Sequence, residues 1–245
     1  MRIGILETGK VEGTLVPRHG DYPTIFSDLL RGGDPSIETV AYDVLEGGLP
    51  PSAEACDAWL VTGSKHGVYD DLPWIAPLAA FLREARAVGR PIIGICFGHQ
   101  IVAEAFGGRA EKSDRGWGVG VHRYAVTQRP DWMAEGAAET AFHAHHQDQV
   151  TAIPEDATVL AASAFCPYAM LAYGDPEAPD AITIQPHPEF TAAYARDLVD
   201  LRSGASLPEA IAAPARETFG QPVDGALFAR WTAAYLKRVA ARQAA

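Results

Sequence analysis

The sequence predicts an α/β fold with a central, mostly parallel sheet, a small antiparallel side sheet and a C-terminal helical extension. Short apolar segments alternate with amphipathic ones over the first ~110 residues, which is typical of βαβ units. Strand-like segments then follow one another with few helices between them, and the pattern becomes helical after Thr191. With 245 residues, 48% of them hydrophobic and 21% charged, the chain is long enough to bury a sizeable core.

The first part of the chain predicts four strands and three helices. Strands are assigned to short buried apolar runs, and helices to segments whose apolar residues recur at helical spacing. The predicted strands are Arg2–Leu6, Ile37–Val44, Asp57–Thr62 and Pro91–Ile95. The predicted helices are Tyr22–Leu30, Leu72–Val88 and Gly98–Phe106. We expect Gly32 and Gly33 to stop the first of these helices.

The middle of the chain predicts strands that form an antiparallel extension or a side sheet. They are Gly118–Thr127, Thr158–Ala164, Ala169–Tyr173 and Ala181–Gln185. Beyond them, helices are predicted at Ala193–Ser203 and Val223–Ala244, and a looser stretch rich in Ala, Pro and Gly, Gly204–Pro222, joins the two. We interpret this tail as helices packed on the domain.

Composition and charge exclude several classes of protein. The net charge of −11 argues against non-specific binding to nucleic acids or anionic membranes, because both need an excess of Lys and Arg. No basic leader with an apolar stretch begins the sequence, and no window approaches the ~18 apolar residues of a membrane span. The three cysteines, Cys56, Cys96 and Cys166, form no CxxC pair, which favours a reducing compartment. We therefore predict a cytoplasmic protein, with Cys56 and Cys166 structural.

Cys96 stands in the most informative segment, PIIGICFGHQ (91–100). A buried strand runs directly into it, a helix begins within two residues, and Gly94 and Gly98 flank it at i−2 and i+2. A nucleophile on so tight a strand-to-helix turn needs small neighbours. The start of the helix also offers free N–H groups and a dipole that stabilise a thiolate. This arrangement favours a nucleophile over a small core residue.

His187 is the best candidate, among eight histidines, for the proton carrier that a thiolate nucleophile needs. It follows a predicted strand that ends at Gln185, and the prolines on either side of it favour extended backbone. Residues i and i+2 of an extended chain project to the same side, so Glu189 would lie beside it, about 7 Å away at Cα. A solvated loop histidine is the alternative. Ligands of open α/β sheets bind at this edge, however, which favours a fixed site.

Two other motifs point to neither a metal nor a cofactor. His143, His145 and His146 form a cluster, but only Asp148 accompanies them at a spacing suited to metal ligands, so we predict no metal site. GWGVG (116–120) precedes a strand and lacks the third glycine of a dinucleotide loop, so it predicts no such cofactor. Its tryptophan, Trp117, is a candidate wall of the site.

Two segments in combination, GICFGHQ (94–100) and QPHPEF (185–190), resemble the class I glutamine amidotransferases, a family with a Cys-His-Glu triad. LVTGSKHGVYDD (60–71) resembles the oxyanion loop of that family, which usually reads GGP, and HHQDQV (145–150) resembles its S-H-x-D-x-V segment. The resemblance covers about residues 1–190 and implies a flavodoxin-like three-layer sandwich. We therefore expect an amidotransferase domain at 1–190 and a helical extension, packed on the same domain, at 191–245.

The resemblance implies roles for individual residues. Cys96 is the expected nucleophile, His187 the acid and base, and Glu189 its orienter. The backbone N–H groups of Ser64 and Phe97 are expected to form the oxyanion hole, although serine and lysine replace the usual second glycine and proline of that loop. Three further positions are expected to contact the substrate: Gly63, Gln100 and His146. No cofactor is implied.

The predicted activity is hydrolysis of a γ-glutamyl amide through a cysteine thioester, with release of ammonia and glutamate. One hypothesis is that ammonia passes to a separate synthetase, because the chain contains no P-loop or second catalytic domain. Another is a stand-alone γ-glutamyl hydrolase or peptidase that acts on γ-glutamyl conjugates. GHQ after the cysteine and the single-domain size resemble the branch that contains GMP synthases and γ-glutamyl peptidases. A catalytically silent regulatory or binding module is the third hypothesis, which the intact Cys/His/Glu set disfavours.

Overall fold

A nine-stranded sheet organises the protein, which is described here by a computed structural model over residues 1–243. The order of its strands is β2-β1-β3-β4-β11-β10-β9-β6-β7, and β5 and β8 form a separate two-stranded antiparallel sheet. The strands are β1 (Arg2–Glu7), β2 (Glu38–Asp43), β3 (Ala58–Val61), β4 (Ile92–Ile95), β5 (Arg109–Lys112), β6 (Gly118–Val126), β7 (Glu139–His146), β8 (Asp148–Ala152), β9 (Ala157–Ala162), β10 (Met170–Tyr173) and β11 (Ala181–Ile184).

The first half of the large sheet is parallel and the second half is antiparallel. β2, β1, β3, β4 and β11 run in the same direction, as the βαβ pattern predicts. From β11 outward, β10, β9, β6 and β7 pair antiparallel. The predicted antiparallel strands therefore continue the main sheet, while the side sheet is formed by β5 and β8, two segments that were not predicted to be strands.

Helices cover both faces of the sheet and complete a three-layer sandwich. They are α1 (Val16–His19), α2 (Tyr22–Gly33), α3 (Ile75–Ala87), α4 (Phe97–Ala105), α5 (Ala192–Arg202), α6 (Glu209–Thr218) and α7 (Gly225–Gln243), with single 3₁₀ turns at Val44–Glu46 and Asp131–Met133. One buried apolar cluster joins the sheet to α2 and the C-terminal helices, and a second joins it to α3 and α4. No helix within residues 1–243 has the length and apolar composition needed to cross a membrane.

The structure differs from the sequence-based expectations at α6 and at β7. The stretch Gly204–Pro222 contains a helix, α6, which forms although Pro214 lies inside it. This helix packs on β6, where the Thr218 hydroxyl accepts a hydrogen bond of 2.8 Å from the N–H of Val121. Strand β7 was not predicted, because its histidines obscure the apolar pattern. Helix α2 ends at Gly33, in agreement with the predicted stop at Gly32-Gly33.

The tail joins the same core as the rest of the chain. Phe228 and Trp231 of α7 belong to the apolar cluster that contains β1 and α2. The absence of a side chain at Gly33 lets α7 approach α2, because a Cβ there would lie 3.2 Å from the Cβ of Ala233 and collide with the backbone of Ala229. The predicted end of this helix at Ala244 lies outside the described residues.

Candidate active site

Cys96 occupies a strained turn between β4 and α4. Its φ is 56° and its ψ is −104°, and within the described residues no other non-glycine residue has a positive φ. Such a conformation is rare for a residue with a Cβ and marks functional sites more often than ordinary loops. Cys96 is 6% exposed and precedes the first helical residue, so its thiol lies at the N-terminal end of α4.

The glycines around Cys96 allow close packing of the strand and the helix. A Cβ on Gly94 would lie 2.5 Å from the carbonyl oxygen of Gly98 and 2.9 Å from the side chain of Thr183. A Cβ on Gly98 would lie 2.9 Å from the Cβ of Val61 in β3 and would also collide with its carbonyl group. Both glycines are therefore required by contacts across the sheet, in addition to the turn itself.

His187 and Glu189 form a buried pair in the loop after β11. The Nδ1–H of His187 donates to Oε1 of Glu189 over 2.7 Å, and the two side chains are 5% and 0% exposed. The backbone N–H of His187 donates to the carbonyl of His143 in β7 over 2.8 Å, which anchors the loop to the sheet. Phe190 stacks on the imidazole, with ring centroids 4.0 Å apart and planes 9° apart.

The parallel pairing of β4 with β11 brings the cysteine and the histidine to one edge of the sheet. Ile95 is opposite Ile184 in the register of these strands, so Cys96 and His187 both follow at their carboxyl ends. Gly63 lies between the two side chains, since a Cβ there would be 3.2 Å from Cε1 of His187 and 3.6 Å from the Cβ of Cys96.

The electrostatics of this edge favour a protonated imidazole. Burial lowers the pKa of His187, but the charges of Glu189 and Cys96, together with the hydrogen bond to Glu189, outweigh it. The net result is a pKa well above the ordinary histidine range. A thiolate–imidazolium pair oriented by a carboxylate is the state from which nucleophilic attack begins.

Two backbone N–H groups at the ends of β3 and β4 have no hydrogen-bond acceptor within the described residues. Ser64 follows β3, and Phe97 is the first residue of α4. Within residues 1–243, neither N–H donates a hydrogen bond. A non-glycine residue is accommodated at Ser64, whose φ is not positive. These are the two donors that the sequence predicts for the oxyanion hole.

The other predicted substrate-binding residues are close to Cys96. Gln100 lies one turn further along α4, and its Nε2 donates to the carbonyl of Asp148 over 3.0 Å and to Oε1 of Gln185 over 3.1 Å. Nδ1 of His146 contacts the same Asp148 carbonyl at 3.2 Å, and burial lowers the pKa of His146 to about 3. Both side chains line the cleft that opens from Cys96.

The histidine cluster is distributed over a strand, so its side chains do not converge. Residues 143 and 145 of β7 project to one face and residue 146 to the other. His143 packs against Phe219, whereas His146 packs against Phe165. In the part of the chain that the structure describes, no group of three His, Cys, Asp or Glu side chains could hold a metal ion.

The cleft has two adjoining compartments that meet at Cys96. The larger, of about 870 Å³, is lined by Gln100, His146 and Trp117. The smaller, of about 540 Å³, is lined by His187. The predicted site residues are thus gathered in one place, with Trp117 as a wall.

Arg202 lines both compartments and was not found from the sequence. It is the last residue of α5, more than 100 positions after Cys96. Its Nη1 donates to Nε2 of His145 over 3.1 Å. No motif surrounds this arginine, so only the packing of α5 against the sheet edge could reveal it.

Comparisons with known proteins agree with this geometry. The family model for class I glutamine amidotransferases matches residues 49–197, well over half of the chain. The chain belongs to the class I glutamine amidotransferase family. The predicted family and the predicted class of enzyme, an amidohydrolase that acts on a C–N bond, are therefore confirmed.

The relatives of this amidotransferase include two kinds of protein. It is 28% identical to γ-glutamyl peptidase 4 of Arabidopsis thaliana over 74% of this chain and 73% of that protein. It is 30% identical to a subunit of the glutamine-hydrolysing GMP synthase of Halobacterium salinarum, over 71% of this chain and 87% of its relative. A crystal structure of a glutamine amidotransferase from Thermotoga maritima superposes with a TM-score of 0.77, covering 98% of this chain and 97% of that one at 17% identity. The predicted flavodoxin-like fold is confirmed by this likeness.

Proposed function

We propose that the protein hydrolyses the side-chain amide of glutamine or of a γ-glutamyl compound, with Cys96 as nucleophile, His187 as acid and base, and Glu189 as its orienter. The observation that carries this proposal is the strained Cys96 turn at the same sheet edge as the buried His187–Glu189 pair. Family membership supports the same class of reaction.

The proposed reaction has two stages. The Cys96 sulfur attacks the amide carbon, the N–H groups of Ser64 and Phe97 bind the resulting oxyanion, and His187 gives its proton to the departing nitrogen. The C–N bond breaks, an amine or ammonia leaves, and a thioester remains on Cys96. His187 then takes a proton from water, which attacks the thioester; the C–S bond breaks, glutamate leaves, and the thiolate–imidazolium pair is restored.

Replacement of the nucleophile tests the proposal. Cys96→Ala should lower the rate of glutamine or γ-glutamyl hydrolysis by at least about 10⁴-fold, because the thioester can no longer form. A thiol-directed glutamine analogue should label the wild-type protein at Cys96 and leave this variant unlabelled. Cys56→Ala, which removes a buried thiol outside the cleft, is the matched control and should keep both activity and labelling. Equal labelling of Cys96→Ala and the wild type would refute the assignment.

The relatives support two biological roles for this hydrolysis. The GMP synthase relative supports transfer of ammonia to a separate synthetase, and the γ-glutamyl peptidases support direct cleavage of γ-glutamyl conjugates. The open, two-compartment cleft favours the second, because ammonia needs little space. Stimulation of glutaminase activity by an added synthetase would instead favour the first.

We further propose the division of the chain that the resemblance implied, with an amidotransferase domain at 1–190 and a helical extension at 191–245. Packing of α7 into the core shared with β1 and α2 supports an extension that is not an independent unit. The three cysteines are unpaired and buried, which supports the proposed cytoplasmic location.

A further inference from the structure

The smaller compartment of the cleft lies on the side of the reaction from which the amine departs. His187 lines it, and in the proposed function His187 gives its proton to the departing nitrogen. The larger compartment shares Cys96 with the smaller one and is lined by Gln100 and His146, which are expected to bind the glutamyl part, so we assign the glutamyl part to it.

This compartment is much larger than ammonia requires. Its volume is about 540 Å³, whereas a molecule the size of water occupies about 30 Å³ of liquid. Several apolar side chains line it, and Trp74 and Leu198 are both buried by their neighbours. Such a wall suits an organic substituent on the departing nitrogen better than ammonia alone.

Two cations in this compartment, Lys65 and Arg202, have no close counter-charge, although the carboxylate of Glu12 also lines it. Lys10 is neutralised by Glu7 and by Asp43, the latter at 2.8 Å. Lys65 is exposed, and within residues 1–243 its ammonium pairs with no carboxylate. Arg202 has only a distant counter-charge, Glu12, at 3.9 Å.

Arg202 is also held in place by a buried, neutral group. His145 is 8% exposed, and burial first, then the neighbouring positive charge of Arg202, lower its pKa well below the ordinary value. It therefore stays neutral and accepts the hydrogen bond from Nη1 of Arg202. The ring of Trp117 also packs against this imidazole in a T-shaped arrangement, with centroids 5.7 Å apart. The guanidinium is thus oriented towards the cleft, with donors left for a ligand.

We propose that Arg202 and Lys65 form a subsite for a carboxylate on the leaving amine, so that the preferred substrates are γ-glutamyl amides of amino acids or peptides. This inference rests on the proposed function and deepens it. The C-terminal extension thereby contributes a specificity-determining residue, since Arg202 lies beyond the segment that the family model matches, 49–197. Lys65 replaces the residue that is usually proline in the oxyanion loop.

Three substrates distinguish the effect of this subsite from that of the catalytic residues: glutamine, γ-glutamyl-leucine and γ-glutamyl-leucinamide. The last two differ only in the carboxylate of the leaving amine. The wild-type protein should have a kcat/KM for γ-glutamyl-leucine about 10- to 100-fold above that for the leucinamide, the range expected for hydrogen bonds to a charged group. Arg202→Gln and Lys65→Gln should each remove most of this preference while glutamine hydrolysis changes by less than about threefold.

The controls keep the outcomes distinguishable. Arg123→Gln, an exposed arginine paired with Glu139 outside the cleft, should change none of the three rates. Lys65→Gln alters an exposed side chain, so it tests the subsite even where Arg202→Gln disturbs α5. Equal wild-type rates on the two leucine substrates, or a loss of glutamine hydrolysis as large as the loss on γ-glutamyl-leucine, overturns the subsite. If Cys96→Ala matches the wild type on every substrate, the proposed function itself fails.

Discussion

His187 shows how a single side chain depends on its surroundings. Burial alone would keep the imidazole neutral, and the adjacent carboxylate and thiolate reverse that effect. The raised pKa also contributes stability, because the folded protein binds this proton more tightly than the unfolded chain does. That contribution is fully present below the unfolded pKa of about 6.5 and is lost as the pH rises through the folded value.

Replacement of the orienting carboxylate should shift the pH dependence of catalysis. In Glu189→Gln the imidazole loses the negative charge that most favours its protonated form, so it should deprotonate at lower pH. The alkaline limb of the kcat/KM profile should therefore shift to lower pH. Loss of the oriented acid and base should also reduce kcat/KM by roughly 10²- to 10⁴-fold. A pH profile of kcat/KM for both proteins measures the two effects, and Glu155→Gln, which changes a carboxylate outside the cleft, is the control. An unshifted alkaline limb would show that Glu189 does not set the protonation of His187.

The junction of β3, β4 and α4 sets the position of Cys96. Gly98, in the first turn of α4, lies so close to β3 that a methyl group has no room beside Val61. An added side chain would be accommodated by movement of the helix, and a displacement of about 1 Å is enough to lower catalysis by about 100-fold.

Gly98→Ala should therefore impair catalysis more than folding. We expect kcat to fall by about 10- to 100-fold and the free energy of unfolding to fall by about 1–3 kcal/mol, the usual range for overpacking. Steady-state kinetics and urea unfolding measure the two quantities. Gly220→Ala adds a methyl group where no atom lies within 4 Å and should alter neither. Full activity in Gly98→Ala would show that the contact with Val61 does not position the nucleophile.

Strand β7 shows why residues that are clustered in the sequence need not form one site in the structure. Its three histidines, at 143, 145 and 146, suggest a cluster in the sequence. Because neighbouring residues in a strand face opposite sides, His145 turns towards Arg202 while His146 turns towards Asp148. His143 contributes its backbone carbonyl, which anchors the loop of His187.

The sheet joins the amidotransferase segment and the C-terminal helices in one body. Phe228 of α7 is 0% exposed and packs edge-on against Phe142 of β7, with ring centroids 6.3 Å apart. The other end of the tail reaches the cleft through Arg202. Stability and specificity are therefore expected to depend on the same extension.

Phe228→Ala should destabilise the protein without splitting its unfolding. Loss of a fully buried aromatic ring costs about 3–5 kcal/mol, and because the ring lies in a core shared with the sheet, a single transition should shift as a unit. Urea unfolding followed by circular dichroism and by tryptophan fluorescence measures this. Arg230→Ala, on the exposed side of the same helix, should cost about 1 kcal/mol or less. Two separate transitions would show that residues 191–245 form an independent unit.

Local features of the chain were sufficient to predict much of this protein. The strand, tight turn and helix around Cys96 are encoded within ten residues, as is the extended segment that pairs His187 with Glu189. The alternating apolar and amphipathic pattern predicted the parallel strands β1 to β4. Of these, β1, β3 and β4 are apolar runs because they are buried, whereas the edge strand β2 has no buried residue. These inferences needed no knowledge of which distant segments meet.

The remaining features depend on contacts between segments far apart in the chain. The pairing of β4 with β11 places His187 beside Cys96, and the packing of α5 brings in Arg202, which carries no sequence signal. Gly33 lets α7 pack closely against α2, because a Cβ there would collide with the backbone of Ala229. Hydrophobic periodicity and turn residues indicate the structure that one segment prefers. The register of the strands, the placement of the helices and the shape of the cleft depend instead on how all segments pack into a common core.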